Sequence, residues 1–154
     1  DGSNPGSPTA DSTYGRTDTV EYITIANTGN GTDFGNLSSF RYIGGQTSSR
    51  TRALGMGGQD YEGASVNIIE YFTIDSTGNA TDFGDLTRSN ARVTAASSPT
   101  RGVFAGGYTN TPATTNNNII DYVTINTQGN AVDFGDLTSN RNSSGGLSNA
   151  HGGL

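Results

Sequence analysis

Five residues, Glu21-Tyr22-Ile23-Thr24-Ile25, return as Glu70-Tyr71-Phe72-Thr73-Ile74 and again as Asp121-Tyr122-Val123-Thr124-Ile125, at intervals of 49 and 51 residues. A fixed period of this size confines a chain to architectures in which each unit buries its apolar surface against the next. A second block follows each copy at constant distance: Asp33-Phe34-Gly35, Asp82-Phe83-Gly84 and Asp133-Phe134-Gly135, each with a leucine two residues on. Between the two blocks stands Thr28-Gly29-Asn30, Thr77-Gly78-Asn79 or Gln128-Gly129-Asn130. A Gly-Asn pair between apolar runs adopts the positive-φ conformations of tight turns, so each pair of blocks is expected to be an antiparallel hairpin closed at Gly-Asn.

A third block occurs twice, as Thr51-Arg52-Ala53-Leu54-Gly55-Met56-Gly57-Gly58 and Thr100-Arg101-Gly102-Val103-Phe104-Ala105-Gly106-Gly107. It reads as a strand that ends in a double glycine. A weaker small-residue strand precedes it, roughly Arg92 to Ser98 in the second case, which brings the unit to four strands. In the strand around Glu70, Ile69, Tyr71 and Thr73 share one face, while Ile68, Glu70, Phe72 and Ile74 share the other. Both faces carry large apolar groups, so each sheet is expected to be covered on both sides. Tyr22, Tyr71, Tyr122, Phe34, Phe83 and Phe134 are accordingly expected to be buried between neighbouring sheets.

Composition narrows the function classes. Only 31% of residues are hydrophobic and 14% charged, but the apolar residues fall in tight β-branched and aromatic clusters between turns, unlike a disordered chain. The net charge is −6 and every basic residue is an isolated arginine, so no electrostatic footprint for nucleic acid is present. No apolar run is long enough to span a bilayer, and membrane insertion is not expected. Cysteine is absent, which removes disulfides and thiolate metal sites, and His151 is the single histidine, so no zinc cluster can form. No cofactor, metal or catalytic residue is expected.

A strand ending in Gly-Gly, a variable loop, a strand bearing acid-Tyr and a short strand with one aromatic together resemble the kelch repeat, over nearly all of Val20 to Ser144. The resemblance implies a β-propeller, in which four-stranded blades surround a channel. Phe34, Phe83 and Phe134 stand where the kelch repeat has tryptophan, of which this chain has none. The particular wording Thr-Arg-Gly-Val-Phe-Ala-Gly-Gly, Ile-Asp-Tyr-Val-Thr-Ile and Asp-Phe-Gly-Asp-Leu-Thr is similar to kelch-like repeats in structural and tail-fibre proteins of bacteriophages, especially those infecting marine cyanobacteria. That similarity implies an extracellular, virion-borne or fibre-forming role. The fold class expected is all-β: a single array over 1–154, with a polar arm at 1–19, a half-blade at 20–38, blades at 39–87 and 88–138, and a half-blade at 139–154. The chain opens on third and fourth strands and ends on a first strand near Asn142 and a partial second strand, Asn149 to Leu154. Two blades and two complementary halves do not close a ring, so the missing halves are expected from elsewhere: self-association into a homo-oligomer such as a two-chain six-bladed ring, a head-to-tail fibre, or the rest of a longer repeat protein.

Several motifs could carry chemistry. Asp-Phe-Gly holds magnesium in kinases, but here it recurs without a phosphate loop or a strand lysine, and a packing role is expected. Arg52 and Arg101 could grip an anionic sugar, or pair with Glu21, Glu70 or Asp121. Asp75, Asn79 and Asp82 flank a turn and could ligate calcium, although the equivalents of Asp75 are Ala26 and Asn126. Among propeller enzymes, a copper-radical oxidase needs a cysteine crosslink, and sialidases repeat a Ser-x-Asp-x-Gly-x-Thr-Trp turn; this chain has neither. Asn-x-Ser/Thr sequons begin at Asn30, Asn36, Asn79 and Asn142 and permit glycosylation without arguing for it.

The loops that follow the double glycines vary most, Gln59 to Val66 in one unit and Tyr108 to Asn117 in the next. Tyr14, Tyr61 and Tyr108 stand among small polar residues there and in the N-terminal arm, with Asn110 beside the last. Exposed tyrosine with adaptable polar neighbours is the composition of a recognition surface, so these four are the candidate ligand-binding residues. The sequence is therefore read as a non-enzymatic structural or recognition module of an extracellular or virion appendage. The alternatives are a propeller that binds cell-surface glycans and, further off, a sialidase-like glycosidase.

Overall fold

A computed structural model of the chain describes residues 17–42 and 44–148. The described residues contain strands and no helix. β1 (Thr17–Tyr22) and β2 (Thr32–Arg41) form a first, two-stranded sheet. β3 (Gly45–Ser48), β4 (Arg52–Met56), β5 (Ile68–Thr73) and β6 (Thr81–Asp85) form a second sheet in the order β3-β4-β5-β6. β7 (Thr94–Ser97), β8 (Arg101–Ala105), β11 (Ile119–Thr124) and β12 (Val132–Asp136) form a third in the corresponding order, and β9 (Tyr108–Thr109) with β10 (Thr115–Asn116) makes a small ribbon in the loop between β8 and β11. Every pairing is antiparallel, and the two four-stranded sheets share one register: Leu54 stands opposite Tyr71 as Val103 stands opposite Tyr122.

The repeated blocks each have a backbone reason. In β2, β6 and β12 the phenylalanine of Asp-Phe-Gly is the extra residue of a β-bulge: Gly35, Gly84 and Gly135 pair with the partner strand, as do Asp33, Asp82 and Asp133, and the phenylalanine between them does not. The glycines take φ of +153°, +144° and +143°, a region closed to side chains. The bulge bends the strand and re-aims the ring. Each ring then meets the tyrosine of the adjoining strand edge to face, at 6.0, 6.0 and 5.9 Å for Tyr22–Phe34, Tyr71–Phe83 and Tyr122–Phe134. The double glycines close the other end of the unit. A Cβ on Gly58 would lie 1.6 Å from the Tyr42 carbonyl oxygen, and one on Gly106 would lie 2.6 Å from that of Arg141.

The core lies between the second and third sheets. One face of the second sheet gives Leu54, Met56, Ile69 and Phe83, and the facing side of the third gives Phe104, Val123 and Ile125, all buried. Both faces of the second sheet are covered, as face parity requires: Phe72, on the opposite side from Tyr71, meets the Phe34 ring of the first sheet at 5.7 Å.

Three expectations are corrected. The hairpins do not close at Gly-Asn. The tight turns lie earlier, where the amides of Asn27, Ser76 and Thr127 donate to the carbonyls of Thr24, Thr73 and Thr124 at 3.1, 3.4 and 3.1 Å, and Asn30, Asn79 and Asn130 keep negative φ. Gly-Asn has another task, described below. Nor are the six repeat aromatics uniformly buried: Phe83 is 2% exposed, but Phe134 is 58% exposed because no further sheet of the described residues stacks on its face, and Tyr22 is 44% exposed because, among the described residues, no adjoining strand covers it as Arg52 and Arg101 cover Tyr71 and Tyr122. Finally, residues 142–148 form no strand. In the complete sheets the first strand is held by the second, as β3 is by β4; the second strand expected at 149–154 falls outside the described residues.

Candidate functional site

The loops expected to bind a ligand are tied to one another. Asn110 accepts from the backbone amide and hydroxyl of Ser65 at 2.7 and 2.8 Å and donates to the Gly63 carbonyl, so it latches the loop after β8 to the loop after β4. Tyr108 is 8% exposed, paired with Asn116 across the ribbon and covered by the Arg92 guanidinium 5.5 Å from its ring centre. It is thus a packing residue where an exposed one was expected. Its place in β9 puts it two residues before Asn110, so it does not occupy the position of Tyr61 in the repeat. Tyr61 is 62% exposed, and Tyr14 lies outside the described residues. Beneath the loops the double glycines are fastened by Asn90, whose side chain donates to the Gly106 carbonyl at 2.8 Å and accepts from Asn117 at 3.1 Å.

Among the described residues, neither arginine of the third block binds an acid. The Arg52 guanidinium lies 4.5 Å from the Tyr71 ring centre and donates across the sheets to the Ile125 carbonyl at 2.9 Å; Arg101 lies 4.8 Å from the Tyr122 ring. The acids of the acid-Tyr strand reach backward instead. Glu70, fully buried, accepts from the Ser38 amide at 3.0 Å and from Arg41. Asp121 accepts from the amide and hydroxyl of Thr87. Burial lowers the Arg41 pKa, an effect opposed by Glu70, and burial raises the Asp121 carboxyl above the usual aspartate range, an effect opposed by Thr87.

These contacts belong to a joint that recurs between sheets. The Gly-Asn segment after β5 lies along β2: the Gly78 amide donates to the Phe34 carbonyl and the Ala80 amide to the Asn36 carbonyl, both at 2.8 Å, while the Asn36 amide donates to the Asn79 side chain at 3.0 Å. One unit later the same three bonds run from Gly129 to Phe83 at 2.8 Å, from Ala131 to Asp85 at 2.7 Å, and from Asp85 to the Asn130 side chain at 3.1 Å. The glycine of Asp-Phe-Gly receives this segment. A Cβ on Gly35 or Gly84 would stand 2.1 or 2.5 Å from the carbonyl oxygen of Gly78 or Gly129, whereas one on Gly135 would meet nothing within 4 Å. Sequence reasoning saw Gly-Asn and Asp-Phe-Gly as parts of one hairpin; their constant spacing was the available sign that they also dock across units.

One alternative site loses a residue to this joint. Asn79 serves the Asn36 amide, so it is engaged where calcium ligation was considered, and among the described residues no group of three or more His, Cys, Asp or Glu side chains is placed to hold a metal. A groove of about 670 Å³ opens between the first and second sheets, lined by Thr17, Thr19, Glu21, Arg41, Gln46 and Phe72 among others. It flanks the edge of β1 that, in the complete sheets, is occupied by the second strand.

Compared with known protein families and with curated proteins, the chain matches none.

Proposed function

We propose that this chain is a non-enzymatic structural and recognition module of an extracellular or virion appendage, built of kelch-like propeller blades and assembling through complementary half-blades. The observation that carries this reading is the fate of the repeated polar residues. The acid of each complete unit, the asparagine of its Gly-Asn segment and the arginine of its third block are engaged in holding one sheet to another or in stacking on a ring within a sheet. A repeated residue engaged in packing is not available as an acid, base or nucleophile. The first sheet supports the half-blade reading, since among the described residues β1 pairs with β2 on one side and with no strand on the other, and an open edge is a template for another strand.

A glycan-binding role is the second reading, and Tyr61 favours it: the ring is exposed on a loop that the Asn110 latch holds in place. Negative-stain microscopy of the concentrated chain together with a glycan array separates the two. Rods or rings without glycan binding support the structural module. Binding that disappears in Tyr61→Ala moves the function to carbohydrate recognition, and turnover of any sialoside overturns both.

A further inference from the structure

The joint that fastens the second sheet to the first and the third to the second is present, unfilled, at both ends of the described array. At one end stands the receiving half. Phe134 is 58% exposed although its counterpart Phe83 is 2% exposed, and Gly135 keeps its φ of +143° with space above it. The Phe134 carbonyl and both backbone polar groups of Asp136 correspond to the groups of Phe83 and Asp85 that are bonded in the filled joint. At the other end stands the inserting half. Ile23 and Ile25 are 64% and 95% exposed, while in the filled joints the equivalents of Ile23, Phe72 and Val123, are 7% and 3% exposed and those of Ile25, Ile74 and Ile125, are 40% and 0% exposed. The Gly29-Asn30-Gly31 segment repeats Gly78-Asn79-Ala80.

Charge matches as well as shape. The residue four places after the leucine of each fourth strand is Arg41, Asn90 or Arg141. Arg41 forms a buried ion pair with Glu70 of the following unit; Asn90 instead bonds the Gly106 carbonyl and Asn117 of its following unit, whose acid, Asp121, is held by Thr87. Arg141 has no following unit among the described residues, and the acid without a preceding unit is Glu21. Both are exposed. The glutamate left over at this repeat position thus meets the arginine left over at its partner position, which repeats the Arg41–Glu70 pairing and not the Thr87–Asp121 one.

We infer that the β12 face of one copy receives the β1–β2 hairpin of a second copy, with Asn27–Gly31 lying along Val132–Asp136, Ile23 and Ile25 against Phe134, and Glu21 paired with Arg141. The contact is heterologous, because the two surfaces differ, so it propagates head to tail. This inference rests on the assembly reading above and gives it an address. In that geometry the side chain of Thr138, which corresponds to Ser38 and Thr87, stands beside the Glu21 carboxylate.

Light scattering with circular dichroism on the whole chain tests it. The wild type is expected to gain mass with concentration. Ile25→Asp blocks the inserting half and Phe134→Asp the receiving half, each on a residue the single chain leaves exposed; both are expected to stay folded and to weaken association by about a hundredfold, since each places an unpaired charge in an apolar contact. Mixed together, the two variants each retain one working end and should stop at a two-chain complex. Glu21→Arg and Arg141→Glu should each weaken association, and the double exchange should restore it. A wild type that remains a monomer at millimolar concentration overturns the inference, as does association that ignores these variants. In the latter case assembly itself would stand and only this interface would fall.

Discussion

Phe83 and Phe134 occupy the same place in the same three-residue motif, bulged from equivalent strands and packed on equivalent tyrosines, yet one is 2% and the other 58% exposed. Local sequence sets the conformation of this unit and the next sheet sets its burial. The fold therefore has no self-sufficient unit: the bulge, the edge-to-face pair and the hairpin are complete at Phe134, but the apolar contact that would stabilise them lies on a neighbour. This is the energetic signature of repeat arrays, in which stability resides in interfaces as much as in units.

The contrast breaks most sharply under truncation. Phe83→Ala should cost about 3–5 kcal/mol, as for other buried aromatics, whereas Phe134→Ala in dilute protein should change stability by no more than about 0.5 kcal/mol. Urea unfolding of the two variants measures both. Equal losses would mean that the aromatic pair within a sheet, and not the contact between sheets, supplies the stability.

The two filled joints differ in how they hold the buried acid, and that difference is open to the same treatment. Arg41→Ala leaves Glu70 buried without its cation and should cost about 3–5 kcal/mol, while Arg41→Met with Glu70→Leu should recover most of that loss, because a well-packed apolar pair replaces two desolvated charges. Thr87→Val at the other joint removes only a hydroxyl from Asp121 and should cost about 1.5–3 kcal/mol. A double variant no better than Arg41→Ala alone would show that the ion pair does more than neutralise a buried charge.

The smallest effect concerns pH. Burial raises the folded-state pKa of Asp121 above its unfolded value, so the folded protein holds the proton more tightly than the unfolded chain does. Its contribution to stability is therefore greatest at low pH and declines as pH rises from the ordinary aspartate value, about 3.9, through the raised one. Asp121→Asn does not ionise. The stability of this variant relative to the wild type should increase across that window and then level off, and a difference that is flat with pH would show that Thr87 compensates the burial of the charge in full.

Much of the fold was legible in the residues, for reasons that separate what was read from what was missed. Strand positions and face parity follow from β-branched clusters and alternation, and β4, β5, β6 and β8 lie where the repeated blocks put them. The double glycines marked the end of a strand, as β4 and β8 end before them, while the positive φ at each was not read from the sequence. The role of Gly-Asn was hidden because its partner lies in the preceding unit: Asn79 bonds Asn36, forty-three residues away, and no local rule for turns contains that distance. The burial of Tyr108 was hidden for a related reason. Its covering groups, Arg92 and Asn116, stand on either side of it in sequence, on a ribbon too short to show a periodicity. The four candidate ligand residues were chosen by composition, which distinguishes a loop from a strand but not a latch such as Asn110 from an open contact such as Tyr61.

The docking of Gly-Asn onto Asp-Phe-Gly relies chiefly on main-chain amides and carbonyls, with one asparagine side chain and a glycine that leaves room. Main-chain groups are the same in every residue, so this contact makes little demand on the surrounding side chains. A coding segment of this kind, copied in frame, already contains both the surface that accepts its predecessor and the surface that offers itself to its successor. Lengthening the protein then needs no new complementarity to arise. What must be inherited intact is the spacing between the two motifs, and the acid and its partner, Arg with Glu or Thr with Asp, remain free to diverge and to mark which copy follows which.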